Sequence, residues 1–213
     1  MIDYYARRAS EYEKIYAKPE RQDDLRLLRE KCRDLFAGCD LLEISCGTAW
    51  WTECCAETAR HITATDINPE VLEIAAAKEW KHIVPDFKIA DSMDLPDFGR
   101  GFDAGFAGFW WSHVPLRRLP DFLTEFHAQL LPGSRVAFID NRYVEGSSTP
   151  ISRHDANGDT WQMRQLADGS HHEILKNFPT EAELRGVLAP LANDPEIHSS
   201  DYFWIAVYRT PFA

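Results

Sequence analysis

The sequence lacks the features that mark several classes of protein. Its 213 residues contain no run of about 18 apolar residues, so no membrane-spanning helix is expected. The N-terminal residues MIDYYARRASEYEK are polar and charged, unlike a secretory signal. The five cysteines include no Cys-x-x-Cys pair, which argues against a disulfide framework and against a zinc site. These absences predict a cytoplasmic protein with reduced thiols.

Concentrated positive charge and metal-ligand spacings are also scarce. The net charge is −11, and Arg7-Arg8 and Arg117-Arg118 do not extend into longer basic blocks. A polyanion would be repelled by such a chain, so neither nucleic acid nor a membrane is expected as a partner. The histidines lack partners at metal-ligand spacing, and no metal is predicted.

Strand-like and helix-like segments alternate along the first two thirds of the chain. Five short apolar runs have the length of buried strands: 40–45, 61–65, 87–90, 102–106 and 135–139. Helical periodicity appears in the segments between or before them: 22–36, 50–58, the residues after Asn68-Pro69, and 119–130. This alternation predicts an α/β fold with a doubly wound, mostly parallel sheet.

The C-terminal third has a different pattern. Asp168-Gly169 lies between two strand-like runs and predicts a β-hairpin, inserted at about 158–176. Thr180 and Glu183 form a capping-box pattern at the start of a helix. Residues 196–199 and 202–209 are too close for a helical crossover and predict an antiparallel edge. We expect a single domain, with residues 39–213 as its main body and residues 1–38 as a helical segment before it.

Acidic and small residues follow successive strands, where doubly wound sheets bind ligands. Gly47 lets a ligand approach the backbone. Asp66 comes nineteen residues later, close to the offset of about 20 at which an acidic side chain meets ribose hydroxyls. Asp91 can accept from an exocyclic amine, and Ile67 with Met93 can sandwich a purine. The strand ends therefore predict a nucleoside site, although a pyrophosphate-binding G-x-G-x-x-G is absent.

Five segments in this order resemble the class I S-adenosylmethionine-dependent methyltransferases: LLEISCGTAWWT, ATDINPEVLEIAAAK, ADSMDLP, GFDAGFAGFWWSHVP and LLPGSRVAFID. The resemblance covers residues 1 to about 140 and resumes at YFWIAVYR. The first turn in that family usually reads E-x-G-x-G-x-G. Here Ser45 and Ala49 replace the outer glycines, and only Gly47 remains. Since neither replacement adds much bulk, we expect the turn to survive, with Ser45 at a non-positive φ or at a tolerated strained angle.

The resemblance implies S-adenosylmethionine as cofactor and S-adenosylhomocysteine as product. It implies the first turn on the methionine part, Asp66 on the ribose hydroxyls, and Asp91 with Ser92 on adenine. The cofactor residues expected from it are Glu43, Ser45, Cys46, Gly47, Thr48, Trp51, Asp66, Ile67, Asp91, Ser92, Met93 and Ala107. In similar proteins the N-terminal segment folds over the site as a lid.

The acceptor side is predicted from the residues beyond the last two parallel strands and from the N-terminal tyrosines. His113 is the candidate base, with a purely structural role as an equal alternative, and Asp140 is the reserve. Acceptor contacts are expected from Tyr4, Tyr5, Trp110, Trp111, Arg142 and Tyr143. The hypothesis is in-line methyl transfer to an oxygen, nitrogen or sulfur of a small aromatic or apolar molecule. A non-catalytic cofactor-binding module and, less favoured, a nicotinamide dehydrogenase are the alternatives. The hairpin is expected either to cap the pocket or to pair two protomers.

Overall fold

Two β-sheets organise residues 2–212, which the computed structural model describes. The ten strands are β1 Asp40–Glu43, β2 His61–Asp66, β3 Asp86–Ile89, β4 Phe102–Gly108, β5 Leu130–Asn141, β6 Ile151–His154, β7 Thr160–Gln165, β8 His171–Leu175, β9 Asn193–Ser199 and β10 Phe203–Arg209. The main sheet has the order β3-β2-β1-β4-β5-β10-β9. Strands β1 to β5 are parallel, and β10 pairs antiparallel with both β5 and β9. The predicted α/β fold with an antiparallel edge is confirmed.

Six α-helices connect and cover the strands: α1 Ile2–Arg8, α2 Gln22–Leu35, α3 Trp50–Ala56, α4 Pro69–Ala76, α5 Leu119–Ala128 and α6 Glu181–Leu188. Short 3₁₀ helices, including Ala9–Tyr16, lie between α1 and α2. The capping box of Thr180 and Glu183 is confirmed, because each side chain bonds the other residue's backbone N–H. Asn68 occupies the N-cap of α4 without a side-chain capping bond. None of the helices within residues 2–212 has the length and apolar character needed to cross a membrane.

The core is divided between the two faces of the main sheet by strand alternation. Leu41 packs with α2 and α3, whereas its neighbour Leu42 packs with α5 and α6. Ala137 and Phe138 of β5 alternate in the same way, because successive side chains in a strand point to opposite faces. Burying a side chain of this size contributes about 1.5–3 kcal/mol. Both faces are therefore covered, as a parallel sheet requires.

Two elements differ from the sequence-based expectation. Helix α5 ends at Ala128, and β5 begins already at Leu130 instead of at 135. Strand β6 was not predicted, because its side chains are exposed or half-buried and leave no apolar pattern. It extends the predicted hairpin of β7 and β8 into a three-stranded antiparallel sheet.

Candidate active site

The turn between β1 and α3 is held in a strained, left-handed backbone. Ser45 has φ +51°, Gly47 +56° and Ala49 +64°. Of the two expectations for Ser45, the structure adopts the strained angle, which costs a non-glycine residue about 1–2 kcal/mol. The turn is fixed by a bond from the Cys46 N–H to the Thr65 carbonyl at 2.9 Å and by a bond between the Ser45 and Ser92 hydroxyls at 2.7 Å. Strain concentrated at one turn in this way is typical of functional sites.

Gly47 lies against the N-terminal segment. A Cβ at this position would stand 3.2 Å from Cε1 of Tyr12, closer than an ordinary van der Waals contact. Thr48, beside it, donates to Glu13 at 2.8 Å, and Glu13 also accepts from Lys78. The first segment of the chain therefore covers the turn. These contacts fit the expected lid, which remains a prediction.

Asp66 ends β2 with its carboxylate beside the turn. One oxygen accepts from the Gly47 N–H at 2.9 Å, and the other accepts from the Asn68 N–H at 3.0 Å. Burial raises the pKa of this carboxyl, and the backbone hydrogen bonds from Asn68 and Gly47 oppose that rise. Each carboxylate oxygen has a second lone pair, so Asp66 can still accept from ligand hydroxyls.

An inner cavity of about 220 Å³ opens at these strand ends. Seven of the predicted cofactor residues line it: Ser45, Gly47, Asp66, Ile67, Asp91, Ser92 and Met93. Further walls, not predicted as cofactor residues, come from Tyr12, Asn68, Val71, Gly108 and Phe109. Asp91 accepts from the Met93 N–H at 2.8 Å, which folds that loop toward the cavity. The polar groups are few and the walls are mainly apolar, as in small-molecule sites.

Other residues predicted to bind the cofactor lie behind this wall. Ala107 is buried on the α5 side of the sheet, and the next residue along β4, Gly108, faces the cavity instead. Trp51 packs so closely on Gly108 that a Cβ there would stand 2.5 Å from the indole ring. Strand alternation explains the one-residue displacement. Cys46 and Thr48 are also outside the cavity lining.

Glu43 is buried beneath the turn and does not line the inner cavity. Burial raises its pKa to about 8, against a weaker opposing effect of the Thr52 hydroxyl. Its Oε2 has no hydrogen-bond partner among the described residues. The side chain is therefore largely protonated at neutral pH.

An outer cavity of about 350 Å³ adjoins the inner one. Four side chains line both: Tyr5, Tyr12, Phe109 and His113. Nδ1 of His113 lies 2.6 Å from the Leu175 carbonyl and must donate to it, so Nε2 accepts from the Tyr5 hydroxyl at 2.9 Å. Burial first, and then the charges of Lys176 and Arg164, hold the pKa of His113 well below its usual value. His113 is therefore a neutral imidazole at the junction of the two cavities.

Asp140, the expected reserve base, is committed to an ion pair. Burial favours its neutral form, but Lys176 at 2.8 Å and the Ser112 N–H at 2.9 Å hold its pKa below the usual value. The side chain is completely buried and lines neither cavity. An ionised, paired carboxylate has little tendency to take a proton, so this geometry disfavours Asp140 as the base, and its role remains a prediction.

The predicted acceptor residues divide into two groups. Tyr4 and Tyr5 line the outer cavity, and Tyr5 and Trp110 line the inner one. The others lie elsewhere: Trp111 packs in the core on Phe138 and Trp204, Arg142 donates to the Ser200 carbonyl, and Tyr143 packs at the surface on Phe178. Trp111 follows Trp110 directly and is turned into the core by a 3₁₀ helix that begins there.

Sequence reasoning missed several polar side chains that line the outer cavity: Arg8, Arg21, Gln162, Arg164 and Lys176. They come from the N-terminal segment, from β7 and from the residue after β8, which are far apart in the sequence. Only the hairpin signal pointed toward this region, and a hairpin pattern does not say which side chains face a cavity.

Comparison with known proteins finds a methyltransferase domain and methyltransferase structures. A family model described as a methyltransferase domain matches residues 41–133. The DhpI–SAH complex superposes with a TM-score of 0.80 and 28% identity, over 99% of this chain and 95% of that one. The DhpI–SAM–HEP complex gives 0.79 and 28%, over 97% and 94%. The predicted resemblance to the class I S-adenosylmethionine-dependent methyltransferases is confirmed at the level of fold and matching domain, and the two DhpI complexes contain SAH or SAM.

Among curated proteins, a demethylmenaquinone methyltransferase of Listeria monocytogenes is 28% identical over 128 residues, which is 56% of this chain and 50% of the relative. The chain thus aligns with about half the length of the curated relatives it matches. These similarities show that the chain has the fold of class I methyltransferases.

Proposed function

We propose that this protein binds S-adenosylmethionine in the inner cavity and transfers its methyl group to a small molecule held in the outer cavity. The observation that carries the proposal is the junction of the two cavities at Tyr5, Phe109 and His113. A methyltransferase must bring two bound molecules together at one point, and a binding module needs only one cavity. This junction therefore favours the enzyme over the non-catalytic alternative.

The cofactor fits the inner cavity by the chemistry of its walls. Asp66 has lone pairs free for ribose hydroxyls, and Asp91 with Ser92 offers acceptors beside an apolar wall of Met93 and Ile67. The strained turn at Gly47 would hold the amino-acid end. When bound, S-adenosylmethionine supplies an activated methyl group, so the protein's principal task is to align the acceptor.

His113 and Tyr5 act on the acceptor side of the junction. The neutral His113 Nε2 accepts a hydrogen bond, from Tyr5 here and from a protonated acceptor when that replaces Tyr5. Because the pKa of His113 is depressed, it is a weak base, suited to orienting a hydroxyl or amine more than to taking its proton. The acceptor's apolar part would face Phe109 and Trp110. This part of the acceptor would then be aromatic or apolar, as the sequence predicts.

Calorimetry with S-adenosylmethionine, S-adenosylhomocysteine and NAD tests the proposal. We expect binding of the first two and none of NAD. Asp66→Asn should weaken S-adenosylhomocysteine binding tenfold or more, because an amide donates where two hydroxyls need acceptors. The control is Asp97→Asn, which changes an exposed carboxylate in the loop before β4 whose only bond within residues 2–212 is to the Gly99 N–H. Absence of heat with both adenosyl compounds would refute the proposal, and binding without a methylated product in any acceptor mixture would favour the non-catalytic module.

A further inference from the structure

The outer cavity is strongly basic, although the chain as a whole is acidic. Among the residues that the structure describes, six Lys or Arg side chains line it, and Glu11 is its one acidic side chain. The net charge of the chain is −11. Random placement of charge would make a basic cavity rare in such a chain. The contrast shows that positive charge is concentrated where the acceptor is proposed to bind.

Most of this charge has no carboxylate partner. Lys14 pairs with Glu11, and Lys176 pairs with Asp140. Within residues 2–212, no carboxylate lies within 4.0 Å of the charged groups of Arg8, Lys18, Arg21 or Arg164. Partly buried cations without counter-charges are costly, so their retention at one cavity points to an anion supplied by the ligand.

Arg164 is the best placed of these cations. Its Nη2 donates to Gln162 at 2.8 Å, and its Nη1 lies 3.5 Å from the Tyr5 hydroxyl, the group that bonds His113. Its Nε is buried and has no partner among the described residues. A guanidinium presents its donors in a planar fork that matches two oxygens of a carboxylate or phosphoryl group. Arg164 therefore keeps a buried, unpaired donor while its Nη1 lies one hydrogen-bonded step from the junction.

Arg21 provides a second, pre-arranged cation in the same cavity. Its guanidinium is almost fully buried and is held by Asn141 at 3.1 Å and by the Ser147 hydroxyl at 2.9 Å. The Ser147 hydroxyl in turn donates to Glu20. Hydrogen bonds to neutral oxygens orient Arg21 without neutralising it.

We propose that the acceptor is a small molecule bearing an oxyanion, a carboxylate or a phosphoryl group, which Arg164 binds in the outer cavity beside the Tyr5–His113 pair. The inference rests on the proposed function, since it names the substrate class of that same site. It narrows the expected apolar acceptor to a molecule with an apolar part toward Phe109 and a charged group toward Arg164. The cavity volume of about 350 Å³ limits the ligand to a small molecule.

Binding of inorganic phosphate and of acetate to the full protein saturated with S-adenosylhomocysteine tests the oxyanion site directly. We expect weak but saturable binding of at least one ion, and the stronger of the two identifies the phosphoryl or carboxylate class. Arg164→Gln should weaken this binding tenfold or more, and Arg164→Lys should restore part of it. Arg153→Gln is the matched control, because Arg153 lies in the same small sheet but pairs with Glu173 outside both cavities.

S-adenosylhomocysteine binding serves as the separate readout of folding and of the proposed function. If the wild-type protein does not bind S-adenosylhomocysteine, the proposed function fails, while the ion titration still reports on the basic cavity. If S-adenosylhomocysteine binding is retained and neither ion binds, or Arg164→Gln binds them as the wild type does, the oxyanion proposal is overturned. The proposal also predicts the result of an acceptor screen by mass: acids should be methylated in preference to their uncharged amides. Equal methylation of acids and amides would overturn the proposal.

Discussion

Replacing Gly47 by alanine separates backbone strain from contact with the N-terminal segment. At φ +56° any side chain costs about 1–2 kcal/mol, and the new Cβ would stand 3.2 Å from Tyr12 Cε1. Gly38 offers a matched control, because it has φ +71° and nothing within 4 Å of the added Cβ. Both variants should lose about 1–2 kcal/mol of the free energy of unfolding, measured in urea.

Only Gly47→Ala should also weaken the binding of S-adenosylhomocysteine. Tyr12 lines both cavities, so displacing it by a few tenths of an ångström disturbs the covering of the turn as well as the turn itself. We expect at least a tenfold loss of affinity by calorimetry, with Gly38→Ala close to wild type. Gly47→Val should abolish binding, since a β-branched residue is a severe outlier at positive φ. Equal affinities in Gly47→Ala and Gly38→Ala would refute the assignment of this turn to the cofactor.

Two further predictions concern the turn and the end of the strand that precedes it. Ser45→Gly should change the free energy of unfolding by less than about 1 kcal/mol, because relief of the strain at φ +51° offsets the lost bond to the Ser92 hydroxyl; a loss above 2 kcal/mol in urea would contradict this. Glu43→Gln should make the protein more stable at alkaline pH. The folded-state pKa is raised from 4.5 to about 8, so the contribution of Glu43 to stability is complete below about pH 4.5 and falls by a few kcal/mol as pH rises toward 8, at about 1.4 kcal/mol per pKa unit. Denaturation curves of wild type and variant should therefore converge at pH 4 and separate at pH 9, and parallel curves would exclude the effect.

The fold was predictable because its information is local. Runs such as that of β1 and the helical face of α2 show their period over a few residues, and the order of segments then limits the topology. The cofactor side was predictable for a similar reason, because parallel strands bring Gly47, Asp66 and Asp91 to one edge whatever the rest of the chain does. The direction of individual side chains was harder to predict, because Ala107 and Gly108 differ only in which face of β4 they occupy.

The acceptor side was not predictable to the same degree, because distant segments build it. Arg21 precedes β1, Arg164 lies in the added small sheet, and no periodicity relates them. Asp140 shows the limit most clearly. Its position after β5 suggested a base, and only the structure reveals Lys176, thirty-six residues later, as its ion-pair partner.

The outer cavity shows how an acidic chain can carry the basic acceptor site that we propose. Electrostatic interactions at the surface are screened within about 8–10 Å at physiological salt, so the net charge of −11 governs what approaches the surface at large. Inside a cavity with low-dielectric walls, the nearest charges dominate, and there Arg164 and Arg21 are positive. Under our proposal, a small oxyanion enters this cavity and reaches the guanidinium groups. On this view, the cavity's charge favours a small anionic acceptor, and the Tyr5–His113 pair lies where the outer cavity meets the inner one.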